Sequence, residues 1–349
     1  MNLYNQFNHL LEYAPKENIC TQNTNNEILY KDLLDFVKKY NLTKILISLS
    51  GGVDSMVLFD ILHHIKQYDI NELNIYICHI DYNNRPESND EKDFLIQYCS
   101  SKGYELKYIT HDFKRNEFKR DVYEKRTTQL RYEFYETLMK QFHLQGVLLA
   151  HHKDDIVENI FNNIMRGNRE ITDLVVIKDM NIIMNVAIYR PLLHVFKNAI
   201  FDYAHSYQIP YFLDSTPDWS CRGKMRRKIF PDCIDCYGNN YKNNLLQLGE
   251  ESKQINTIFQ TYILNDLLNN INVENNNFTI KKQDIIKEKN VLKKLIIQIF
   301  HTYKLEGLKL KIIDLILQNY DKNTKLSMSK HYIIEINNEF IFFINIMKL

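Results

Sequence analysis

Short apolar runs alternate with longer amphipathic stretches through the first two thirds of the chain. The runs are rich in Ile, Leu and Val, as is typical of buried strands, and occupy 44–49, 73–80, 105–110, 146–150 and 209–213. The stretches that separate most of them have helical periodicity and occupy 55–66, 91–101, 126–141 and 155–165. Buried strands alternating with helices predict an α/β fold, with a doubly wound, mostly parallel sheet covered on both faces.

The pattern changes beyond about residue 220. Amphipathic helices are expected at 243–270, 290–303 and 310–320, and the segment 332–344 has the pattern of a β-hairpin with a short Asn-containing turn. The chain is therefore expected to have three parts. These are a helical N-terminal extension (1–40), the α/β domain (41–231) and a smaller C-terminal helical domain that ends in the hairpin (241–349).

Composition narrows the class of protein. The 349 residues carry a formal charge of only +1, so nucleic-acid binding would require a local basic patch. We expect no secretory signal, because the N-terminus has no basic head followed by an apolar stretch. The longest apolar run, 340–344, is far shorter than the roughly 20 residues that span a bilayer. Six cysteines in a chain of this length do not indicate a disulfide framework, and a cytoplasmic location is expected.

The segment SGGVDS at 50–55 lies between the first predicted strand and its helix. Parallel sheets bind ligands at this edge, where glycines permit positive φ and the amides of the turn can hold an anion. Asp54 would repel phosphate unless a cation intervened, which indicates Mg²⁺. The loop is not a Walker A motif. The simpler alternative is a tight turn with a Ser or Asp helix cap.

A second candidate cluster follows the strand at 146–150. His151, Asp155 and Glu158 have i, i+4, i+7 spacing, which aligns an imidazole and two carboxylates at the start of a helix. The helix begins at the same sheet edge as the glycine loop. Two alternatives are an amphipathic helix with a solvated acidic face and a zinc site, although the sequence has no H-E-x-x-H and no obvious third ligand.

Both clusters resemble known motifs. The segment 50–55 resembles the S-G-G-x-D-S loop of the PP-loop ATP pyrophosphatases, and HHKDDIVE at 151–158 resembles the H-H-x-D-D-x-x-E segment of tRNA(Ile)-lysidine synthetases. Three further segments resemble that family in order and spacing: CHIDYNNRPES (78–88), RTTQLRYEFY (126–135) and the stretch 189–216 that begins YRPLL. The resemblance covers about residues 44–231.

The resemblance implies ATP and Mg²⁺ as cofactors, with Asp54 on the metal through ATP. It places the nucleotide near Ser50, Gly51, Gly52, Val53, Asp54, Ser55 and His79. It implies catalytic roles for Asp54, Arg131, His151, Asp155 and Glu158. Arg131 would lie near the phosphates, and the last three would form the catalytic and lysine-binding site.

A basic tract, CRGKMRRKIFP at 221–231, follows the predicted sheet. Contact with an RNA backbone would use Arg222, Lys224, Arg226, Arg227 and Lys228. The alternative is a solvated basic helix start. The family has R-N-x-I-R-x-x-x-x-P here, and this chain departs from it at Gly223. Trp219, just before the tract, is a candidate for stacking on a base, although a lone Trp is more often structural.

Cys233 and Cys236 form a single C-x-x-C, with Cys221 as a candidate third ligand and no evident fourth. In the tRNA thiolases of this superfamily, paired cysteines lie between the glycine loop and the H-H-x-D-D segment. Here that interval holds only the widely separated Cys78 and Cys99.

The resemblance thus implies a ligase that adenylates the wobble cytidine of a tRNA and then joins lysine to it, releasing AMP and pyrophosphate. The partners expected are a tRNA anticodon loop, free lysine and, for a homodimer, a second copy of the chain, with no membrane. Three alternatives stay open: a tRNA thiolase on the same scaffold, a small-metabolite amidating synthetase, and a catalytically inactive tRNA-binding homologue.

Overall fold

The computed structural model describes residues 3–15, 24–83, 86–111, 118–167, 174–214, 216, 220–269, 271–274, 277–282, 288–306, 308–309 and 311–346. The chain divides into two compact units, and the division falls between Gly249 and Glu250. The domain limits at 40, 231 and 241 stay predictions.

The helices and strands have the following bounds. The helices are α1 (Leu3–Gln6), α2 (Thr24–Lys39), α3 (Val53–Tyr68), α4 (Ser88–Ser101), α5 (Arg120–Phe142), α6 (Lys153–Arg166), α7 (Lys197–Ser206), α8 (Cys221–Lys224), α9 (Phe230–Tyr237), α10 (Tyr241–Phe259), α11 (Asn265–Asn269), α12 (Lys289–Thr302) and α13 (Ile312–Gln318). Single π-helical segments, Met225–Ile229 and Gln260–Leu264, join α8 to α9 and α10 to α11. The strands are β1 (Leu11–Tyr13), β2 (Lys44–Ser48), β3 (Asn74–Asp81), β4 (Leu106–Thr110), β5 (Gly146–Leu148), β6 (Met180–Ile183), β7 (Val186–Tyr189), β8 (Tyr211–Phe212), β9 (Asn272–Glu274), β10 (Asn277–Lys281), β11 (Thr324–Ser327), β12 (Tyr332–Ile336) and β13 (Phe340–Asn345).

The N-terminal unit is built on a six-stranded sheet in the order β4-β3-β2-β5-β7-β6. All neighbours are parallel except β6, which pairs antiparallel with β7. The order reverses between β2 and β5, so the carboxyl ends of these strands flank a crevice of the kind that binds ligands in α/β proteins. The prediction of a doubly wound, mostly parallel sheet is confirmed.

Helices cover both faces of this sheet, because successive strand residues point to opposite sides. Ile45 and Ile47 are fully buried in one cluster with side chains from α2, α3, α4 and α7. Leu46, between them, packs in a second cluster with Val147 and with Tyr135 of α5. This two-sided burial explains why the strands are apolar along their whole length rather than alternating.

Two strand predictions differ from the structure. The hairpin β6–β7 was missed, because its strands have four residues each and its turn is made by Met184 and Asn185, which adopt positive φ without a glycine. The run at 209–213 does not join the main sheet. Its core, β8, instead pairs antiparallel with β1 from the N-terminal extension. Pairing between distant short strands leaves no local pattern in a sequence.

The C-terminal unit holds a five-stranded antiparallel sheet in the order β11-β12-β13-β10-β9. Its core joins α12 and α13 to the sheet, and Phe278 stacks on Phe343 with ring centroids 4.2 Å apart. The predicted hairpin is β12–β13. The other three strands were not predicted, because they are short and because the Asn-rich stretch 274–277 separates β9 from most of β10. The unit therefore contains more sheet than the expected helical domain.

Among the residues described above, no helix is both long enough and apolar enough to cross a membrane.

Candidate active site

A cavity of about 470 Å³ opens at the carboxyl ends of the central strands. Its wall contains Ser48 and Leu49 at the end of β2, His79 near the end of β3, and Ala150 and His151 just after β5. The parallel sheet brings these segments to one edge although they are far apart in sequence.

The glycine loop at 50–55 adopts a conformation that requires glycine at one position. Gly51 has φ +84°, and its carbonyl oxygen accepts a hydrogen bond of 2.9 Å from the backbone N–H of Phe212. A Cβ atom on Gly51 would lie 2.1 Å from the Phe212 ring. Positive φ and this close approach both exclude a side chain here.

The loop and the start of α3 leave backbone donors facing the cavity. The N-cap residue, Gly52, makes no side-chain cap hydrogen bond. The hydroxyl of Ser55 instead holds the loop, accepting from the Ser50 amide at 3.2 Å and donating to the Gly52 carbonyl at 3.0 Å. No Ser or Asp side chain therefore caps this helix, although Oγ of Ser50 accepts from the Gly52 N–H at 3.4 Å within the turn. An uncapped helix N-terminus favours an anion through its N–H groups and dipole.

Asp54 has one oxygen that is buried without a hydrogen-bond partner in the described structure, Oδ1. Nε2 of His152 lies 3.6 Å from this oxygen. The other oxygen, Oδ2, lies 3.3 Å from Nζ of Lys197. A buried carboxylate oxygen without a donor is costly unless a cation meets it, so Asp54 fits the Mg²⁺ that the sequence indicated.

The carboxylates at the start of α6 are buried rather than solvated. Asp155 is 5% exposed and Glu158 is 4% exposed, whereas the apolar Met165 near the end of the same helix is 66% exposed. Oδ2 of Asp155 accepts a hydrogen bond of 3.0 Å from the backbone N–H of His152. The alternative of an amphipathic helix with a solvated acidic face is therefore wrong.

Two arginines of the basic tract point at these carboxylates. Arg222 Nε donates to Oε2 of Glu158 at 2.7 Å, and Arg226 Nε donates to Oε1 at 2.5 Å. Arg222 also donates to Oδ1 of Asp155 at 3.1 Å. Burial opposes ionisation of Asp155, but the charges of His152 and Arg222 outweigh it, so the pKa of this carboxyl lies below its usual value. Both arginines line the cavity, and Arg226 lies in a π-helical segment, a local feature frequent at functional sites.

The rest of the basic tract faces solvent. Lys224, Arg227 and Lys228 are exposed, and Arg227 also donates to the carbonyl of Thr216. The structure thus divides the tract in two, with Arg222 and Arg226 in the cavity wall and the other three cations outside it. Trp219 lies outside the described residues.

The nucleotide-side residues predicted from the sequence line the cavity, except Gly51. Arg131 donates from Nε to the hydroxyl of Tyr82 at 3.0 Å. His79 is buried, and its Nδ1 donates to the carbonyl of Leu49 at 2.8 Å, because a carbonyl oxygen can only accept. Val53 and Ser55 complete the loop side of the wall.

Three residues in or beside the cavity were missed by the sequence analysis. Lys197 contacts Asp54, Tyr82 holds Arg131, and Arg190 donates to His151. Arg190 and Lys197 both lie in the segment that begins YRPLL, so the motif was a signal that pointed to the right part of the chain without identifying these side chains.

Among the residues that the structure describes, the cysteines do not cluster into a metal centre. Within the described ranges, no group of three or more His, Cys, Asp or Glu residues is arranged to hold a metal. Burial raises the pKa of Cys99 to about 12 and that of Cys78 further still, so neither is a thiolate at neutral pH. The thiolate, not the thiol, is the reactive form.

Comparison with curated proteins gives relatives over most of the chain. A tRNA(Ile)-lysidine synthase from Mycoplasma mycoides is 27% identical over 304 residues, which cover 85% of this chain and 72% of that protein. One from Chlamydia trachomatis is 28% identical over 278 residues, covering 79% and 83%. The predicted resemblance is confirmed.

The fold also matches a solved structure. The U34-tRNA thiolase NcsA from Methanococcus maripaludis, solved with its [4Fe-4S] cluster, superposes with a TM-score of 0.52 at 16% identity, over 66% of this chain and 80% of that one. At this identity the match supports the fold alone. The sequence-family model of the PP-loop domain, an ATP-binding family, matches residues 25–233, which are more than half of the chain. With the glycine loop, the parallel sheet and the cavity at its edge, this match shows that the chain belongs to the PP-loop domain family.

Proposed function

We propose that this protein is a cytoplasmic ligase of the tRNA(Ile)-lysidine synthetase type. It would use ATP to adenylate the wobble cytidine of a tRNA and would then replace AMP with lysine. The observation that carries the proposal is the meeting of three features in one cavity: the uncapped glycine loop, the unpartnered oxygen of Asp54, and an arginine pair held by buried carboxylates.

The triphosphate would lie with its β- and γ-phosphates on the glycine loop. The amides at the start of α3 and the hydroxyls of Ser50 and Ser55 supply donors. Oδ1 of Asp54 would hold Mg²⁺ together with phosphate oxygens, and the ion would offset the charge of the pyrophosphate leaving group. Lys197, already within 3.3 Å of Asp54, adds a second positive charge at this end.

The arginines would act at the α-phosphate. Cytidine O2 forms a bond to that phosphorus while the bond to pyrophosphate breaks, so negative charge builds on the phosphoryl oxygens. Arg131, Arg222 and Arg226 line the cavity, and prearranged cations stabilise such charge better than water does. Glu158 accepts a hydrogen bond from Arg222 on one oxygen and from Arg226 on the other, and these bonds fix the orientation of both arginines.

In the second step the ε-amine of lysine would attack C2 of the cytosine. The C2–O2 bond breaks, AMP leaves with the oxygen, and the amine loses a proton. Asp155 stays ionised at neutral pH because its pKa is lowered, so it suits attraction of an ammonium group. A carboxylate has about four acceptor positions, which leaves room for a substrate beside the arginines. The base would be splayed from the anticodon loop, with the exposed Lys224, Arg227 and Lys228 on its phosphates.

Incubation of the protein with tRNA, ATP and isotopically labelled lysine tests this function. Mass spectrometry of the tRNA nucleosides should show a lysine-bearing cytidine, with AMP and pyrophosphate as co-products. Addition of sulfur instead would favour a thiolase, and no tRNA-dependent AMP release would favour a binding protein. Asp54→Asn should lower turnover by about 10²-fold or more while the circular dichroism spectrum is unchanged. The exposed Asp69→Asn, at the other end of α3, should retain activity.

A further inference from the structure

Arg190 and His151 form a partly buried pair at the cavity wall. Arg190 is 5% exposed, and its Nε lies 3.2 Å from Nδ1 of His151. A guanidinium group has five N–H donors, no acceptor, and no accessible neutral form in proteins. The imidazole Nδ1 must therefore be the acceptor in this hydrogen bond. A neutral ring that accepts at Nδ1 carries its proton on Nε2.

We propose that Arg190 is a positioning residue that holds His151 as the neutral Nε2–H tautomer, so that His151 donates a hydrogen bond into the cavity instead of removing a proton from a substrate. The tautomer does not depend on the function proposed above. Only the identity of the group that accepts the hydrogen bond from His151 rests on that function. The acceptor has the chemistry of an oxygen that gains negative charge, such as a phosphoryl oxygen or the O2 of a pyrimidine.

The surroundings of Arg190 prevent it from turning away. Its Nη1 donates to the carbonyl of Lys178 at 2.8 Å and to Oδ1 of Asn181 at 2.6 Å. Its backbone N–H donates to the carbonyl of Asp179 at 2.8 Å. All three acceptors lie in β6 or just before it, so the hairpin that completes the sheet also aims Nε at His151. Outer partners of this kind fix the orientation and tautomer of a histidine.

The charges around His151 agree with a neutral ring. Burial acts most strongly against its protonation, Asp155 favours it, and Arg190, Arg222 and His152 oppose it. Together they lower the pKa of His151 to about 4. A base with a pKa of about 4 is too weak to hold a proton taken from a substrate at neutral pH. A neutral ring, in contrast, offers its N–H donor at every pH above about 5.

Nitrogen-15 NMR of histidine-labelled protein tests the tautomer directly. The His151 resonances are assigned by their loss in His151→Gln, and long-range proton–nitrogen correlations report which ring nitrogen carries the proton. The wild type should show Nε2–H at pH 7 and a midpoint near pH 4. An Nδ1–H tautomer, or an imidazolium at pH 7, overturns the proposal even without any variant.

Substitution of Arg190 tests its role. Arg190→Gln removes the charge and offers Nδ1 either an amide N–H or an oxygen, so the midpoint should rise by about 1 unit or more and both tautomers should appear. Arg190→Lys keeps a charged donor and should keep the Nε2–H form. Lys140→Gln removes an exposed charge from α5 and should change neither the tautomer nor the titration midpoint of His151. An Arg190→Gln protein with the wild-type tautomer and midpoint would rule out positioning by Arg190.

Activity separates a donor from a base. Glutamine can place an N–H near the position of Nε2 but cannot take a proton, so His151→Gln should retain tRNA-dependent AMP release to within about tenfold. His151→Ala removes the donor and should lose about 10²–10³-fold. If both variants are equally inactive, the donor role is wrong. If the wild type releases no AMP, the proposed function fails, and the NMR result still decides the tautomer.

Discussion

Nε of Arg222 lies 2.7 Å from Oε2 of Glu158, although 64 positions separate the two residues in the chain. One belongs to a basic tract that resembles an RNA contact, and the other to an acidic helix that resembles a catalytic segment. Their pairing places part of the tract inside the cavity. It also gives Glu158 a definite task, which is to hold two arginines.

The division of the basic tract can be tested by substitution. Arg222→Ala and Arg226→Ala each leave an oxygen of the buried Glu158 without its arginine, so each should lower ATP–pyrophosphate exchange by about 10²-fold. Loss of Arg226 from the buried Glu158 should also destabilise the fold, by about 3–5 kcal/mol at most, because the second arginine remains. Loss of Arg222 should destabilise it less, because water screens this 49% exposed side chain. Steady-state exchange and urea unfolding measure the two effects.

The exposed lysines provide the matched control. Lys224→Ala and Lys228→Ala should leave the unfolding free energy unchanged and should weaken tRNA binding. The slope of log affinity against log salt should fall by about 1 for each lysine. Equal effects of all four substitutions on tRNA affinity, with none on exchange, would show that Arg222 and Arg226 are RNA contacts and not part of the cavity chemistry.

Gly51 should be irreplaceable for two separable reasons. Gly51→Ala adds backbone strain at φ +84° and a contact of 2.1 Å with Phe212, so it should cost about 2–5 kcal/mol and abolish ATP binding. Gly103→Ala has nearly the same φ, +81°, with no atom within 4 Å, and should cost only the strain, about 1–2 kcal/mol. Urea unfolding and ATP titration distinguish the two. Similar losses in both variants would show that the Phe212 contact is unimportant.

Stability should depend on pH through His151. Its folded pKa of about 4 lies below the ordinary value of 6.5, so between these pH values the unfolded chain binds more protons than the folded one. Stability therefore rises with pH across this window and is lost as pH falls through it. Asp155 also has a lowered pKa, so its contribution has the same sign but is lost only below its ordinary value of 3.8.

Histidine variants isolate this effect. His151→Asn should flatten the plot of unfolding free energy against pH between about 4 and 6.5. Burial also lowers the pKa of His63 to about 4, so His63→Asn should flatten the same window while keeping AMP release. An unchanged slope in His151→Asn would mean that His151 titrates alike in the folded and unfolded chain.

Tyr82 should tune nucleotide binding through Arg131. Tyr82→Phe removes the hydroxyl that accepts from Arg131 Nε at 3.0 Å, so KM for ATP should rise about tenfold, with kcat changed less. Tyr82→His, which offers an acceptor nitrogen in place of the hydroxyl, should recover part of the loss. Tyr108→Phe, in an exposed residue of β4, is the control. A wild-type KM in both Tyr82→Phe and Tyr82→His would show that only the ring matters.

Much of the fold follows from local patterns. Continuous apolar runs predicted the parallel strands, and the helical periods between them predicted the covering helices. The loop at 50–55 and the segment with His151 and Asp155 both line the cavity, whereas Glu158 contacts Arg222 and Arg226 and is not part of the wall. These features can be predicted from the sequence because each depends on residues that are close in the chain. Examples are a glycine at a turn and side chains that lie one and two helical turns apart.

The tertiary structure alone decided which side chains meet. Nothing in the sequence indicated that Arg190 contacts His151, that Lys197 contacts Asp54, or that Arg222 and Arg226 pair with Glu158. The acidic face of α6 has the composition of a solvated surface. In the structure Arg222 and Arg226, from the segment that holds α8 and the π-helical turn after it, pack against its carboxylates. The sequence by itself determined the central strands, the helices that cover them and the kinds of chemistry available. Pairing between distant residues depends on the order of strands in the sheet, and the chain carries no local pattern for it.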